Sequence, residues 1–174
     1  TTYQVIMTDS SACIHIDSLV VTVDTLPNVD AGTDQAICEG DSLQLLASGA
    51  NSFLWLASPS LSSTTLPNPI AFPTSTTTYF VGGLDGNGCA NVDSITITVN
   101  PSPNADAGPL NLTQCGEDSV QLQATGGISY AWTPNSFISD TSIANPMVAP
   151  GSNFRYYVEV RDANGCTAVD SINI

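Results

Sequence analysis

The chain has 174 residues, of which 42% are hydrophobic and only 10% charged, yet two arginines and no lysine face sixteen acids, giving a formal net charge of −14. That imbalance excludes nucleic acid and anionic membrane as electrostatic partners, while the apolar content separates the chain from acidic disordered tails. No apolar run approaches the ~20 residues of a membrane span and no basic-then-apolar start reads as a leader, so no membrane insertion is expected in this segment and targeting signals are expected outside it.

In chain order, residues 1–26 read as two strands around "DSSAC". Partly alternating "SLQLLAS" (42–48) follows, then "SFLWLAS" as a central strand with an aromatic, then "TTTYFVGGL" and "VDSITITV", rich in Thr, Val, Ile and aromatics. Turn chemistry separates them: "EGDS", "SGANS", "LPNP" and "DGNG". No segment sustains the i, i+3, i+4 spacing of a helix.

Self-comparison gives the organisation. Residues 27–61 align with 103–137, matching Cys38 with Cys115, Gly49 with Gly126 and Trp55 with Trp132 at an offset of 77. The register continues through Tyr79 and Tyr156, Asp85 and Asp162, and Cys89 and Cys166. Residues 1–26 match only the back half of a repeat, with Tyr3, Cys13 and Asp17 on Tyr79, Cys89 and Asp93 at an offset of 76. The expected domains are therefore 1–26, the C-terminal strands of a truncated repeat, and two complete repeats at 27–102 and 103–174. Six or seven strands in about 77 residues, with turn signals every 8 to 12, predict an all-β fold of tandem immunoglobulin-like sandwiches. Trp55 and Trp132 are expected in the core, and Tyr79 and Tyr156 at the position of a tyrosine corner.

Five cysteines without C-x-x-C spacing point to disulfides in an oxidising compartment rather than to zinc or redox chemistry. Cys13 is expected to pair outside the chain. Two schemes remain open for the others. Equal spacing suggests Cys38 with Cys89 and Cys115 with Cys166, each inside its repeat. Sandwich topology instead sets Cys38 and Cys89 at opposite ends of a strand of about 23 Å, beyond the ~7 Å Cα separation a disulfide tolerates, and head-to-tail stacking then favours an inter-repeat link from Cys38 to Cys166.

The string P-N-x-D-A-G-x-D-x-x-I-C-x-G-D-S, the tryptophan, N-P-x-x-x-P, T-T-T-Y-x-V and D-x-N-G-C-x-x-x-D-S-I-x-I-x-V together resemble the PKD-like and Ig-like tandem repeats of very large Bacteroidetes surface proteins, including gliding-motility adhesins exported by the type IX system. The resemblance covers nearly the whole chain. It implies an extracellular, cell-surface, elongated array and carries over no catalytic residue.

Candidate chemistry is sparse. His15, the single histidine, replaces Asn91 of the complete repeat, and no Ser-His-Asp set or G-x-S-x-G elbow exists. Asp85, Asn87, Asp162 and Asn164 supply oxygens at alternate positions, as calcium loops do, with Asp30, Asp34 and Asp106 near the repeat junctions. The competing reading is hairpin chemistry, in which Asn and Gly accept φ > 0. Asp-Ser/Thr followed by an apolar residue recurs at Ser18, Thr25, Ser42, Ser94, Ser119 and Ser171 and resembles a Bacteroidetes O-glycosylation signal. Asn111-Leu112-Thr113 is a lone sequon.

The favoured expectation is a non-catalytic structural or adhesive segment of a long extracellular fibre. Its partners are neighbouring repeats, homo-oligomeric filament copies or a cell-surface glycan; calcium is the one cofactor considered. The alternative is a carbohydrate- or calcium-dependent binding module appended to a secreted enzyme, which would need an exposed aromatic platform.

Overall fold

The structure, a computed structural model, describes residues 1–115 and 118–174. Every regular element among them is a strand: β1 Thr2–Thr8, β2 Ile14–Val20, β3 Gln35–Cys38, β4 Leu43–Gln44, β5 Ser52–Trp55, β6 Ile70–Ala71, β7 Thr77–Leu84, β8 Ala90–Asn100, β9 Val120–Gln121, β10 Ser129–Thr133, β11 Met147–Val148, β12 Arg155–Arg161 and β13 Thr167–Asn173.

The first complete repeat sandwiches a four-stranded sheet, ordered β3-β8-β7-β5, against the pair β4-β6. Strand β7 reads "TTYFVGGL" with Tyr79, Val81 and Gly83 on its buried side, so strict alternation turns one face inward. The inner residues Val29, Ala31, Leu45, Trp55, Ala71, Tyr79, Val81, Ile95 and Ile97 form one core. In the second repeat, β10-β12-β13 faces β11-β9, and a separate core gathers Ala107, Leu122, Ala124, Trp132, Val148, Tyr156, Val158, Val160 and Ile172. Here the first strand shrinks to a parallel bridge between Asn111 and Asn173, where the first repeat pairs Gln35–Cys38 in parallel with residues 97–100 of β8.

Two expectations need correction. "SLQLLAS" forms regular strand only at Leu43–Gln44, although the N–H groups of Leu45 and Ala47 continue to donate to Pro69 O (2.9 Å) and Pro67 O (2.7 Å). A proline accepts but cannot donate, so the facing segment sustains half a ladder. "SFLWLAS" is not central: β5 is the sheet's edge. Its exposed side is met by the following loop, whose Thr64 carbonyl accepts the Trp55 N–H at 2.7 Å; Thr141 does the same for Trp132 at 2.8 Å. Covering the edge in this way removes a template for intermolecular strand pairing.

Strands β1 and β2 pair antiparallel from Thr2↔Val20 to Thr8↔Ile14, and every residue in both is exposed.

Candidate functional site

The three copies of the cysteine hairpin fold alike. Asp85 Oδ1 accepts the backbone N–H of Asn87 and Cys89, both at 2.9 Å. Asp162 Oδ1 accepts those of Asn164 and Cys166, again at 2.9 Å. Asp9 Oδ1 accepts those of Ser11 (2.8 Å) and Cys13 (2.9 Å). Gly88 and Gly165 take φ of +84° and +86°, and Ala12 occupies the same place at +63°. The degraded copy thus keeps the turn at the steric cost of an L-residue in the left-handed region. Each aspartate presents its cysteine at the tip by satisfying backbone donors.

The cysteines then diverge. Cys38, at the end of β3, is bonded to Cys166, with a Cα separation of 5.5 Å and a sequence separation of 128. Cys13 and Cys115 are exposed thiols and Cys89 is a half-buried one. The intra-repeat scheme, Cys38 with Cys89 and Cys115 with Cys166, is therefore not formed. Cys38 lies opposite Asn100 at the far end of β8, whereas Cys89 immediately precedes that strand. An eleven-residue strand holds these points about 33 Å apart. The Cys89 thiol is pushed above its ordinary pKa by desolvation first, then by Asp85 and Asp24, which disfavours a reactive thiolate.

The remaining acids brace backbone. Asp30 Oδ1 accepts Gly32 N–H and Asp106 Oδ1 accepts Gly108 N–H, each at 2.8 Å, and Asp34 Oδ1 accepts Thr96 N–H at 2.8 Å. No three His, Cys, Asp or Glu side chains converge on a metal-sized site among the described residues. His15 is exposed on β2 opposite Met7.

The paired tryptophans are buried, at 1% and 2% exposure, and donate through Nε1 to Leu66 O (3.0 Å) and Ile143 O (2.9 Å). Phe53 and Tyr130 pack beside them. Tyr79 and Tyr156 are buried near the starts of β7 and β12, but neither makes a local tyrosine corner. Tyr79 Oη lies 2.7 Å from Ser60 Oγ, and Tyr156 Oη donates to Ser136 O at 2.9 Å, partners 19 and 20 residues upstream. The loop after the tryptophan strand reaches the hydroxyl, so the tie spans the sandwich rather than one corner.

Of the serines and threonine in the Asp-Ser/Thr pattern, Ser18, Thr25, Ser42, Ser94 and Ser119 are exposed and Ser171 is half-buried. The preceding aspartate has a role that pattern reading did not find. Asp93 Oδ2 accepts Ala31 N–H and Asp170 Oδ2 accepts Ala107 N–H, both at 2.8 Å, joining the last strand of each repeat to its entry 62 and 63 residues earlier. The signal was present in the recurring "DAG" and "VDS" strings, but only the fold brings them together. An exposed apolar groove also escaped notice: Leu54, Leu56, Phe80 and Val92 line a shallow trough over Gly82 on the outer face of the first repeat.

No protein-family model and no curated protein matches the chain. Among solved structures, it is similar to the N-terminal eight immunoglobulin domains of Down Syndrome Cell Adhesion Molecule, at 13% identity and a TM-score of 0.52 over 99% of this chain and 31% of that one. It also matches the I67–I69 fragment from the titin I-band, at 13% identity and a TM-score of 0.44 over 87% of this chain and 65% of that one. The chain thus spans less than a third of the adhesion-molecule fragment. At this identity the likeness establishes the fold, an all-β immunoglobulin-like sandwich architecture.

Proposed function

We propose that the chain is a non-catalytic, load-bearing segment of a long extracellular surface fibre or adhesin. The observation that carries this reading is the Cys38–Cys166 bond, which joins the front strand of one sandwich to the distal hairpin of the next. A covalent tie between neighbouring repeats suits a part that must keep its length under tension, and structural disulfides persist in oxidising, extracellular surroundings. The turn aspartates, the elevated Cys89 thiol pKa and the solitary, exposed His15 give no nucleophile or acid–base pair to work with. The resemblance of the repeats to those of Bacteroidetes surface proteins supports attachment to a cell surface after type IX export, in the manner of gliding-motility adhesins. On this reading the partners are neighbouring repeats, copies of the chain in a filament and a surface glycan, and the exposed Asp-Ser/Thr positions are available for O-glycosylation.

Stretching single molecules between their termini tests the proposal. With the bond intact, the 128-residue separation between Cys38 and Cys166 stays out of the stretched length. Reduction should release about 440 Å of further extension, at up to ~3.5 Å per residue. Equal contour lengths with and without reductant would mean that the bond bears no load.

A further inference from the structure

The hairpin β1–β2 has the chemistry of a core without a core. Tyr3, Val5, Leu19 and Val21 match Tyr79, Val81, Ile95 and Ile97 of the first complete repeat. The latter are 2%, 0%, 4% and 0% exposed; the former are 59%, 54%, 66% and 38% exposed. In the complete repeat, β7 is flanked by β5 and β8 by β3, while Asp93 receives the Ala31 N–H. Among the described residues β1 and β2 have only each other, and the matching Asp17 accepts only from its neighbour Ser18 (2.8 Å). The features that the complete repeat meets with residues 27–76 are therefore displayed, in register, on this hairpin.

The cysteines give an independent indication. Cys38 ends the front strand of one repeat and bonds the hairpin cysteine of the next. Cys89 is the hairpin cysteine of the first complete repeat and stands in the same Asp-anchored turn as Cys166, yet carries a free thiol. Its counterpart in the observed bond would be the front-strand cysteine of the repeat to which β1–β2 supplies the back.

We propose that β1–β2 is completed by a front segment of this same repeat type, equivalent to residues 27–76, and that the segment's cysteine bonds Cys89. The Cys38–Cys166 bond is then one rung of a ladder that recurs at every junction, with Cys115 the open position for the hairpin of a following repeat. Each rung forms as two S–H bonds give way to one S–S bond. Two protons and two electrons pass to a small-molecule disulfide such as oxidised glutathione, whose own S–S bond is reduced to two thiols. The inference rests on the fibre reading above but is tested separately, because its readouts are thiol pairing and backbone protection rather than load or adhesion.

The test extends the full chain by a copy of residues 27–76 placed directly before Thr1, which aligns with Thr77, followed by refolding with oxidised glutathione. Non-reducing peptide mapping should find the added cysteine joined to Cys89, the Cys38–Cys166 bond retained and Cys13 and Cys115 free. Hydrogen exchange in Thr2–Thr8 and Ile14–Val20 should slow by at least about tenfold, as open backbone becomes part of a packed unit. Cys89→Ser should leave the added cysteine free while the slowed exchange persists. The same segment supplied as a separate peptide with oxidised glutathione, which takes up the two electrons and two protons as two thiols, to the unextended chain with its Cys38–Cys166 bond formed should be joined to Cys89 and not to the more exposed Cys13 or Cys115. Hairpin amides that exchange as fast as in the unextended chain would overturn the completed repeat. Protected amides with the added cysteine free, or joined to Cys13 or Cys115, would overturn the ladder.

Discussion

The two complete repeats agree inside and differ outside. Trp55 and Trp132, Tyr79 and Tyr156, Val81 and Val158, and Ile95 and Ile172 are buried pair by pair. On the outer face of the long sheet, Leu54, Gly82 and Phe80, which belong to the apolar groove of the first repeat, become Ala131, Glu159 and Tyr157 in the second, a shorter side chain, a carboxylate and a phenol. The front strand differs too: four residues pair in parallel in the first repeat and a single bridge does so in the second, where one residue is inserted before Cys115. Duplication has kept what fills the sandwich and what connects it, leaving the solvent side to drift or specialise. The comparison thus separates residues required by any copy from those belonging to one.

The sharpest way to break it is to cut the bond that joins the copies. A closed loop of 128 residues restricts the unfolded chain by about 5 kcal/mol on the chain-entropy estimate. Reduction should lower stability by up to that amount in urea titrations while both cores remain folded at zero denaturant; loss of either core on reduction would mean that the repeats are not self-sufficient. Next come the tryptophans. Trp55→Ala and Trp132→Ala should each cost about 3–5 kcal/mol. Each leaves one tryptophan whose fluorescence reports the other repeat, and in reduced protein that reporter should keep its wild-type midpoint. Unequal costs would reveal cores less alike than their burial.

A paired glycine gives a smaller effect. A Cβ on Gly49 would lie 1.8 Å from Asn28 O and one on Gly126 would lie 2.0 Å from Asn104 O, with φ of +85° and +104°. Gly49→Ala and Gly126→Ala should each destabilise their own repeat by about 2–3 kcal/mol, measured by thermal unfolding. Acid yields the smallest and most local contrast. Backbone hydrogen bonds, that from Ala31 foremost, hold the Asp93 carboxyl below the usual carboxylate range, and Ser142 does so for Asp140. A carboxyl more acidic in the folded chain contributes fully above its unfolded pKa of about 4 and loses that contribution as pH falls through the depressed value. Amide protection at Ala31 and Ser142 should follow that course. Ser63 takes the place of Asp140 in the first repeat and accepts the Thr65 N–H at 3.3 Å through a hydroxyl, so the Thr65 amide should not respond.

Much of this molecule could be read from its residues because duplication supplies an internal control. Tryptophans recurring at a fixed offset within alternating apolar runs identify the core, and D-x-N-G before a cysteine identifies the turn. The pairing of Cys38 stayed open because equal spacing and sandwich topology point to different partners, and only the position of β3 beside the far end of β8 distinguishes them. The edge position of β5 and the long reach of the tyrosine hydroxyls depend on where the loop after the tryptophan settles, and no periodicity encodes that. The clasp from Asp93 to Ala31 spans 62 residues and two short motifs, each of which alone reads as an ordinary turn or strand end.

The two cationic side chains have a consequence of their own. Arg155 and Arg161 stand at the two ends of β12, a strand hydrogen-bonded on one side to β10 and on the other to β13. A trypsin-like protease, which needs an extended, accessible stretch around lysine or arginine, therefore finds both of its cleavage sites on a paired strand: Arg161 stands between Ser129 of β10 and Thr167 of β13, and Arg155 opposite Asn173 of β13. The folded chain should survive such an enzyme whole. Any nick would fall at one of these two residues and would record the opening of the second repeat.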